Sequence, residues 1–170
     1  MSHRRPEPIE IEDYDSAWPE EYERLKARVV GVLGELVARV EHVGSTAVPG
    51  LAAKPIIDLY AVVADLDRAS ELLATVGYAP EGELGVPGRL GFAWPPDEKR
   101  HHLYICAADH AGLERVVRFR DYMRANPDEV LAYGELKREL AAHHRNERDA
   151  YAEGKGPFVE AALERSEVGA

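Results

Sequence analysis

Gly44 and Ser45 close the short run Val40-Glu41-His42-Val43, and after twelve intervening residues Asp58 interrupts the apolar run Ile56-Ile57-Asp58-Leu59-Tyr60. Glycine lets the backbone come close to a ligand, and a serine beside it presents both an N–H and a hydroxyl. A charge among branched apolar residues costs several kcal/mol unless a cation or a donor meets it. An anion-cradling turn followed by a cation-seeking carboxylate makes a phosphate-and-metal site. The competing reading of Asp58 is a buried carboxylate satisfied by backbone N–H groups or an arginine. Lys54 lies just before the Asp58 strand, where it reaches a phosphate as a point charge or stays a solvated loop lysine. Later, His102 and Tyr104 sit two apart on a strand and share a face. If that strand neighbours the first, His102 is a base, a metal ligand or a hydrogen-bond partner of Asp58; otherwise it is a half-exposed strand histidine. His101 must point the other way and reads as a surface residue.

The order Gly-Ser, then an acid on the next strand, resembles the nucleotidyltransferase superfamily. Within it, the chain resembles the GrpB family. The segments that carry this are Tyr14-Asp15-Ser16-Ala17-Trp18-Pro19, His42 to Asp58, Val86-Pro87-Gly88-Arg89, His101-His102-Leu103, Phe119-Arg120-Asp121-Tyr122, Leu136-Lys137, and Tyr151 through Lys155 to Phe158. They fall in family order between residues 10 and 165, and the Gly44-to-Asp58 segment is the most specific. The resemblance implies an α+β fold: a nucleotidyltransferase-like mixed β-sheet with flanking helices and a C-terminal helical subdomain. It also implies Mg²⁺-dependent transfer from a nucleoside triphosphate to an acceptor that the sequence does not name. Gly44 and Ser45 would then hold phosphates and Asp58 the metal. His102 would be a base or orienting group, and Lys54, Arg89, Arg120, Lys137 and Lys155 would supply positive charge. Arg120 beside Asp121 reads equally well as a structural salt bridge, and Tyr151 as a base-stacking or a core aromatic.

Two positions depart from the pattern. Superfamily strands carry acids at i and i+2, so that both carboxylates hold Mg²⁺. Position 60 is tyrosine, whose phenol, with a free pKa near ~10, is a poor Mg²⁺ ligand. Family resemblance favours a second histidine at position 104, which is Tyr104. Two functions follow: an active nucleotidyltransferase, or a catalytically inactive nucleotide-binding or scaffold module. The deciding feature is whether another acid, such as Asp65, Glu81 or Glu83, reaches Asp58.

Composition narrows the partners. The 170 residues carry a formal net charge of −10, which opposes unspecific binding to nucleic acid or anionic membrane. A polyanion needs a local basic pocket, for which Arg115, Arg118, Arg120, Arg124, Lys137 and Arg138 are available. The single cysteine, Cys106, allows no internal disulfide and fits a reducing cytoplasm as a buried strand residue. The start, Met1-Ser2-His3-Arg4-Arg5, lacks the apolar core of a signal peptide. His42, His110, His143 and His144 lack the spacing of a zinc ligand set.

These residues need elements to position them. Apolar spacing predicts a helix over 18–37, a strand over 40–43, a strand over 56–63 buried on both faces, and a helix over 66–76 ended by Gly77. Residues 89–94 and 101–107 read as a hairpin of strands. From Leu113 the chain reads as helical, broken at Asn126-Pro127 and again at Gly154 and Gly156-Pro157. Residues 1–10 read as a frayed arm. Strands first and helices last predict one α+β domain over 1–170, with a sheet-bearing core to about residue 110 and a helical part over 111–165.

Overall fold

The computed structural model describes residues 7–169; the Met1–Arg5 segment lies outside them. Helix α1 (Trp18–Leu33) starts with Pro19 in its first turn, where no N–H is missed, and buries Trp18, Tyr22, Leu25, Val29 and Leu33 on one stripe. It ends earlier than its periodicity predicts. Gly34 adopts φ 56°, and a short 3-10 turn (Gly34–Leu36) leads into strand β1 (Val37–Val43). Strand β2 (Ile57–Val63) and helix α2 (Leu66–Ala74) follow, with the Asp65 side chain accepting from the Arg68 backbone N–H as the helix cap. Strands β3 (Ala79–Gly82), β4 (Arg89–Ala93) and β5 (His101–Cys106) complete one five-stranded sheet. Helices α3 (Ala111–Ala125), α4 (Pro127–His143) and α5 (Arg148–Val168) finish the chain.

The sheet order is β1-β2-β5-β4-β3. Strands β2 and β5 run parallel at its centre, and the other neighbours pair antiparallel. Period two divides the central strands between two layers. Ile57, Leu59, Ala61, Leu103 and Ile105 pack against Leu25 and Val29 of α1 and Ala69 and Leu73 of α2. Tyr60, Val62 and Cys106 point the other way, onto Leu113, Val116 and Val117 of α3. The architecture is thus mixed α+β, with helices on both faces of a mixed sheet.

Three expectations are corrected here. The N-terminal arm is docked from Glu7 onward: Ile9 is buried and donates its N–H to the Arg145 carbonyl, and Glu12 bridges Ala53. His101 is buried, its Nε2 hydrogen-bonded to the Tyr78 hydroxyl at 2.8 Å on the α1–α2 side. Helix α5 continues through Gly154, Gly156 and Pro157 without a break. Its glycine has a packing reason: a Cβ on Gly154 would collide with the Leu140 side chain, so its absence lets α5 lie close on α4. Among the described residues, no helix is long and apolar enough to cross a membrane.

Candidate functional site

Register puts the chemistry at one end of the sheet. Val43 at the end of β1 pairs with Asp58, and Asp58 pairs across the parallel ladder with His102. Asp58 and His102 therefore stand side by side on the face that α3 covers further along. His102 Nδ1 lies 2.6 Å from Asp58 Oδ1. A carboxylate only accepts, so Nδ1 carries the hydrogen, and in the neutral imidazole Nε2 is then the acceptor. That Nε2 is buried and, among the described residues, has no hydrogen-bond partner. Gly44, next after Val43, adopts φ 74° and lies against the Asp58 carboxylate, where a Cβ would collide with Oδ2. Ser45 opens a 3-10 turn (Ser45–Ala47) directly beyond.

The helices close the other side. A cavity of about 350 Å³ is lined by Gly44, Ser45, Lys54, Asp58 and His102 from the sheet end, and by Tyr133, Lys137, Tyr151 and Lys155 from α4 and α5. Lys137 is 2 % exposed and donates from Nζ to Ser45 Oγ at 2.8 Å. Each lysine rests on an aromatic face: Lys137 over Tyr133 at 4.8 Å, with Lys54 at 5.4 Å and Lys155 at 4.5 Å from the Tyr151 ring. Burial pulls the Lys137 ammonium down to about 7, with the charges of Lys155, Lys54 and Arg138 adding to the fall. Burial also brings Lys155 to about 8; Lys54 pushes it down further, and Asp58 pulls it back up. The sequence does not single out Tyr133 and offers Tyr151 as a base-stacking or a core aromatic, because their place under the lysines depends on how α4 and α5 cross.

Of the residues singled out in sequence, Gly44, Ser45, Lys54, Asp58, His102, Lys137 and Lys155 meet around this cavity. Arg89 and Arg120 do not line it. Arg89 donates to the Tyr60 hydroxyl at 2.9 Å and stacks 4.3 Å over the Tyr104 ring. Arg120 is held between Glu41 (2.7 Å), Asp121 (2.8 Å) and the His42 carbonyl (3.0 Å), fastening α3 to β1. The neighbouring acids do not reach the cavity either. Asp65 caps α2, Glu83 accepts from the Gly88 N–H, and Glu81 lies in β3, the far edge strand. Asp58 is the single carboxylate in the lining. Tyr60 shares its face of β2 but is sealed in the core under α3.

His42 bonds Thr46 Oγ1 at 2.9 Å and stacks on Tyr22, and burial lowers its pKa to about 4. Among the described residues, no group of three or more His, Cys, Asp or Glu is placed to hold a metal ion. A larger hollow, about 540 Å³, lies beside α1. Its arginines are already paired, Arg24 with Glu21 and Glu98 and Arg100 with Glu7, which leaves the smaller cavity as the better anion site.

The GrpB protein family model matches residues 8–165. The UPF0157 protein YqkA of Bacillus subtilis is 35% identical over 161 residues; the match covers 93% of this chain but only 47% of YqkA. A dephospho-CoA kinase of Mycolicibacterium paratuberculosis is 29% identical over 188 residues, covering 94% of this chain and 46% of that one. A crystal structure of the conserved protein GrpB from Enterococcus faecalis superposes with TM-score 0.84 at 34% identity, over 92% of this chain and 96% of that one. The chain belongs to the GrpB family.

Proposed function

We propose that the cavity binds the polyphosphate of a nucleoside triphosphate, and that the chain is a nucleotide-binding module of nucleotidyltransferase-like fold. The observation that carries this reading is the grouping of Ser45, Lys54, Lys137 and Lys155 around one cavity that holds a single carboxylate. Three lysines and a hydroxyl facing one acid make a pocket that is net positive once the amines are protonated, in a protein of net charge −10. That local inversion of sign suits a polyanion.

A Mg²⁺ ion fits only in company. It favours octahedral oxygen coordination and is commonly held by one or two carboxylates together with substrate phosphates and water. Asp58 alone offers one carboxylate, and its Oδ1 already accepts from His102. Asp58 would hold the ion alongside phosphate oxygens, and the ion would neutralise part of their charge. Without a second acid, the binding function is the better supported one.

A second reading, transfer of a nucleotidyl group, is favoured by one observation: His102 Nε2 is buried, unpartnered and held in place through Nδ1 by Asp58. An imidazole so oriented can take a proton from an acceptor hydroxyl. The name dephospho-CoA kinase belongs to the relative that carries it. This sequence has no Gly-x₄-Gly-Lys-Ser/Thr loop to cradle phosphates in the manner of P-loop kinases.

Thermal unfolding with ATP, GTP, CTP and UTP, each at millimolar concentration with and without Mg²⁺, tests the binding function. A ligand held only by the native state at ~100 times its Kd adds about 2.7 kcal/mol, so at least one triphosphate raises the Tm by several degrees. No shift with any of the four overturns both nucleotide readings. Release of pyrophosphate in the presence of candidate acceptors, lost in His102→Gln, would favour transfer over binding alone.

A further inference from the structure

We infer that the cavity takes up a proton when it captures its phosphoryl ligand: Lys137 waits as an uncharged amine beside Ser45 and becomes an ammonium when a dianion arrives. This rests on the cavity being an anion site, and it adds the ligand's required charge and the pH range in which capture succeeds.

The geometry is that of a cation held without a counterion. Lys137 is 2 % exposed and, among the described residues, its amine has one hydrogen-bond partner, Ser45 Oγ at 2.8 Å. Tyr133 on its own helix lies beneath it, and Tyr151 faces the same cavity from α5. The charged groups around it are Lys155 from α5, Lys54 from the loop before β2, and Arg138 next along α4, all positive. The single acid in the lining, Asp58 on β2, is engaged by His102 on β5. Among the described residues, no carboxylate pairs with Lys137 at ion-pair distance. A desolvated amine among like charges sheds its proton, which agrees with a midpoint of about 7. In the neutral state the Ser45 hydroxyl donates to the amine; in the charged state Nζ donates. A tetrahedral dianion bound at Ser45 supplies the missing countercharge, and the proton that charges Lys137 comes from solvent. The ligand class is therefore a dianionic phosphoryl end. With Lys137 charged, the lining carries three ammoniums and one carboxylate, a net charge of +2 that a dianion balances and a monoanion does not.

Sulfate is the clean probe, because it stays a dianion from about pH 6 to 9 and any pH dependence belongs to the protein. Isothermal titration of the full chain with sulfate, metal-free and in buffers of different ionisation enthalpy, is expected to show close to no proton uptake at about pH 6 and, at about pH 8, an uptake that exceeds that of Lys137→Arg by close to one proton, the share of Lys155, which titrates near 8, being common to both. The apparent Kd is expected to be flat below about pH 6.5 and to rise by up to ~10-fold per pH unit above pH 7.5. Lys137→Arg keeps its charge throughout and is expected to flatten this rise between pH 7 and 8. Carbon-13 NMR of the lysine ε-carbons needs no variant: one resonance titrating near neutrality should move above pH 9 with sulfate. Sulfate binding whose proton uptake at pH 8 does not exceed that of Lys137→Arg overturns the inference and leaves the anion site standing. Absence of binding by both sulfate and inorganic triphosphate at every pH overturns the anion site and the inference with it.

Discussion

The Asp58 carboxylate occupies the space in which a side chain on residue 44 would begin: a Cβ built on Gly44 collides with Asp58 Oδ2. The backbone there is also in the left-handed region, at φ 74°. Gly44→Ala therefore meets strain and a clash together. It is expected to lower stability by about 2–4 kcal/mol, a fall of roughly 5–15 °C in Tm for a chain of this size. Thermal and urea unfolding check it. An unchanged Tm would mean that Asp58 swings away freely and is not anchored by His102.

Asp58→Asn keeps an acceptor oxygen for His102 Nδ1 while removing the charge. The free protein is expected to stay folded within ~1 kcal/mol. The part of any ATP-induced Tm shift that depends on Mg²⁺ should vanish, and the metal-free part, carried by the lysines and Ser45, should remain. Global unfolding of the variant would assign Asp58 a structural role instead.

Lys137 costs the empty protein stability. Its folded-state pKa, about 7, lies below the ordinary lysine value of 10.5, so the unfolded chain holds the proton more tightly. Stability is therefore lowest below pH 7 and recovers as pH rises from 7 toward 10.5. Lys137→Met fills similar volume without the charge. It is expected to raise stability by roughly 2–4 kcal/mol at pH 6–7, an advantage that shrinks toward pH 10. Denaturant midpoints of both proteins across that range check the sign, and the same variant should lose most of its triphosphate-induced shift.

Arg120 and Lys155 separate fastening from binding. Arg120 is a clamp between α3 and β1, bonded to Glu41 and the His42 carbonyl. Arg120→Met leaves Glu41 its longer 3.5 Å pairing with Arg39 and takes the donor from the His42 carbonyl; it should cost about 2–3 kcal/mol, with little change in the Tm increment produced by ligand. Lys155→Met touches no such clamp and should reduce that increment with a smaller effect on the free protein. Parallel melts with and without triphosphate check the contrast, and the reverse pattern would move the anion site toward Arg120.

The sequence by itself determined the local pieces. The spacing of Tyr22, Leu25, Val29 and Leu33 made a helix stripe. The run around Leu59 to Val63 made a central strand, and the Gly44-Ser45 turn needed a residue free of a side chain. It also determined that Asp58 and Tyr60 share a face, because a strand has period two. What sequence could not decide was everything that depends on how separate elements meet. Arg89, Arg120, Lys137 and Lys155 are alike as basic residues on distant segments; the pairing of β4 with β5 sent Arg89, and the docking of α3 sent Arg120, to structural partners, while α4 and α5 carried Lys137 and Lys155 into the cavity. The pairing of Asp58 with His102 came from the parallel register of β2 and β5, joined through forty-three intervening residues. His101 was misread because burial on the α1–α2 face is set by packing against Tyr78, and a local pattern carries no record of it. The lowered proton affinity of Lys137 belongs wholly to the tertiary structure, since only the folded chain removes water from that amine and leaves its neighbours positive.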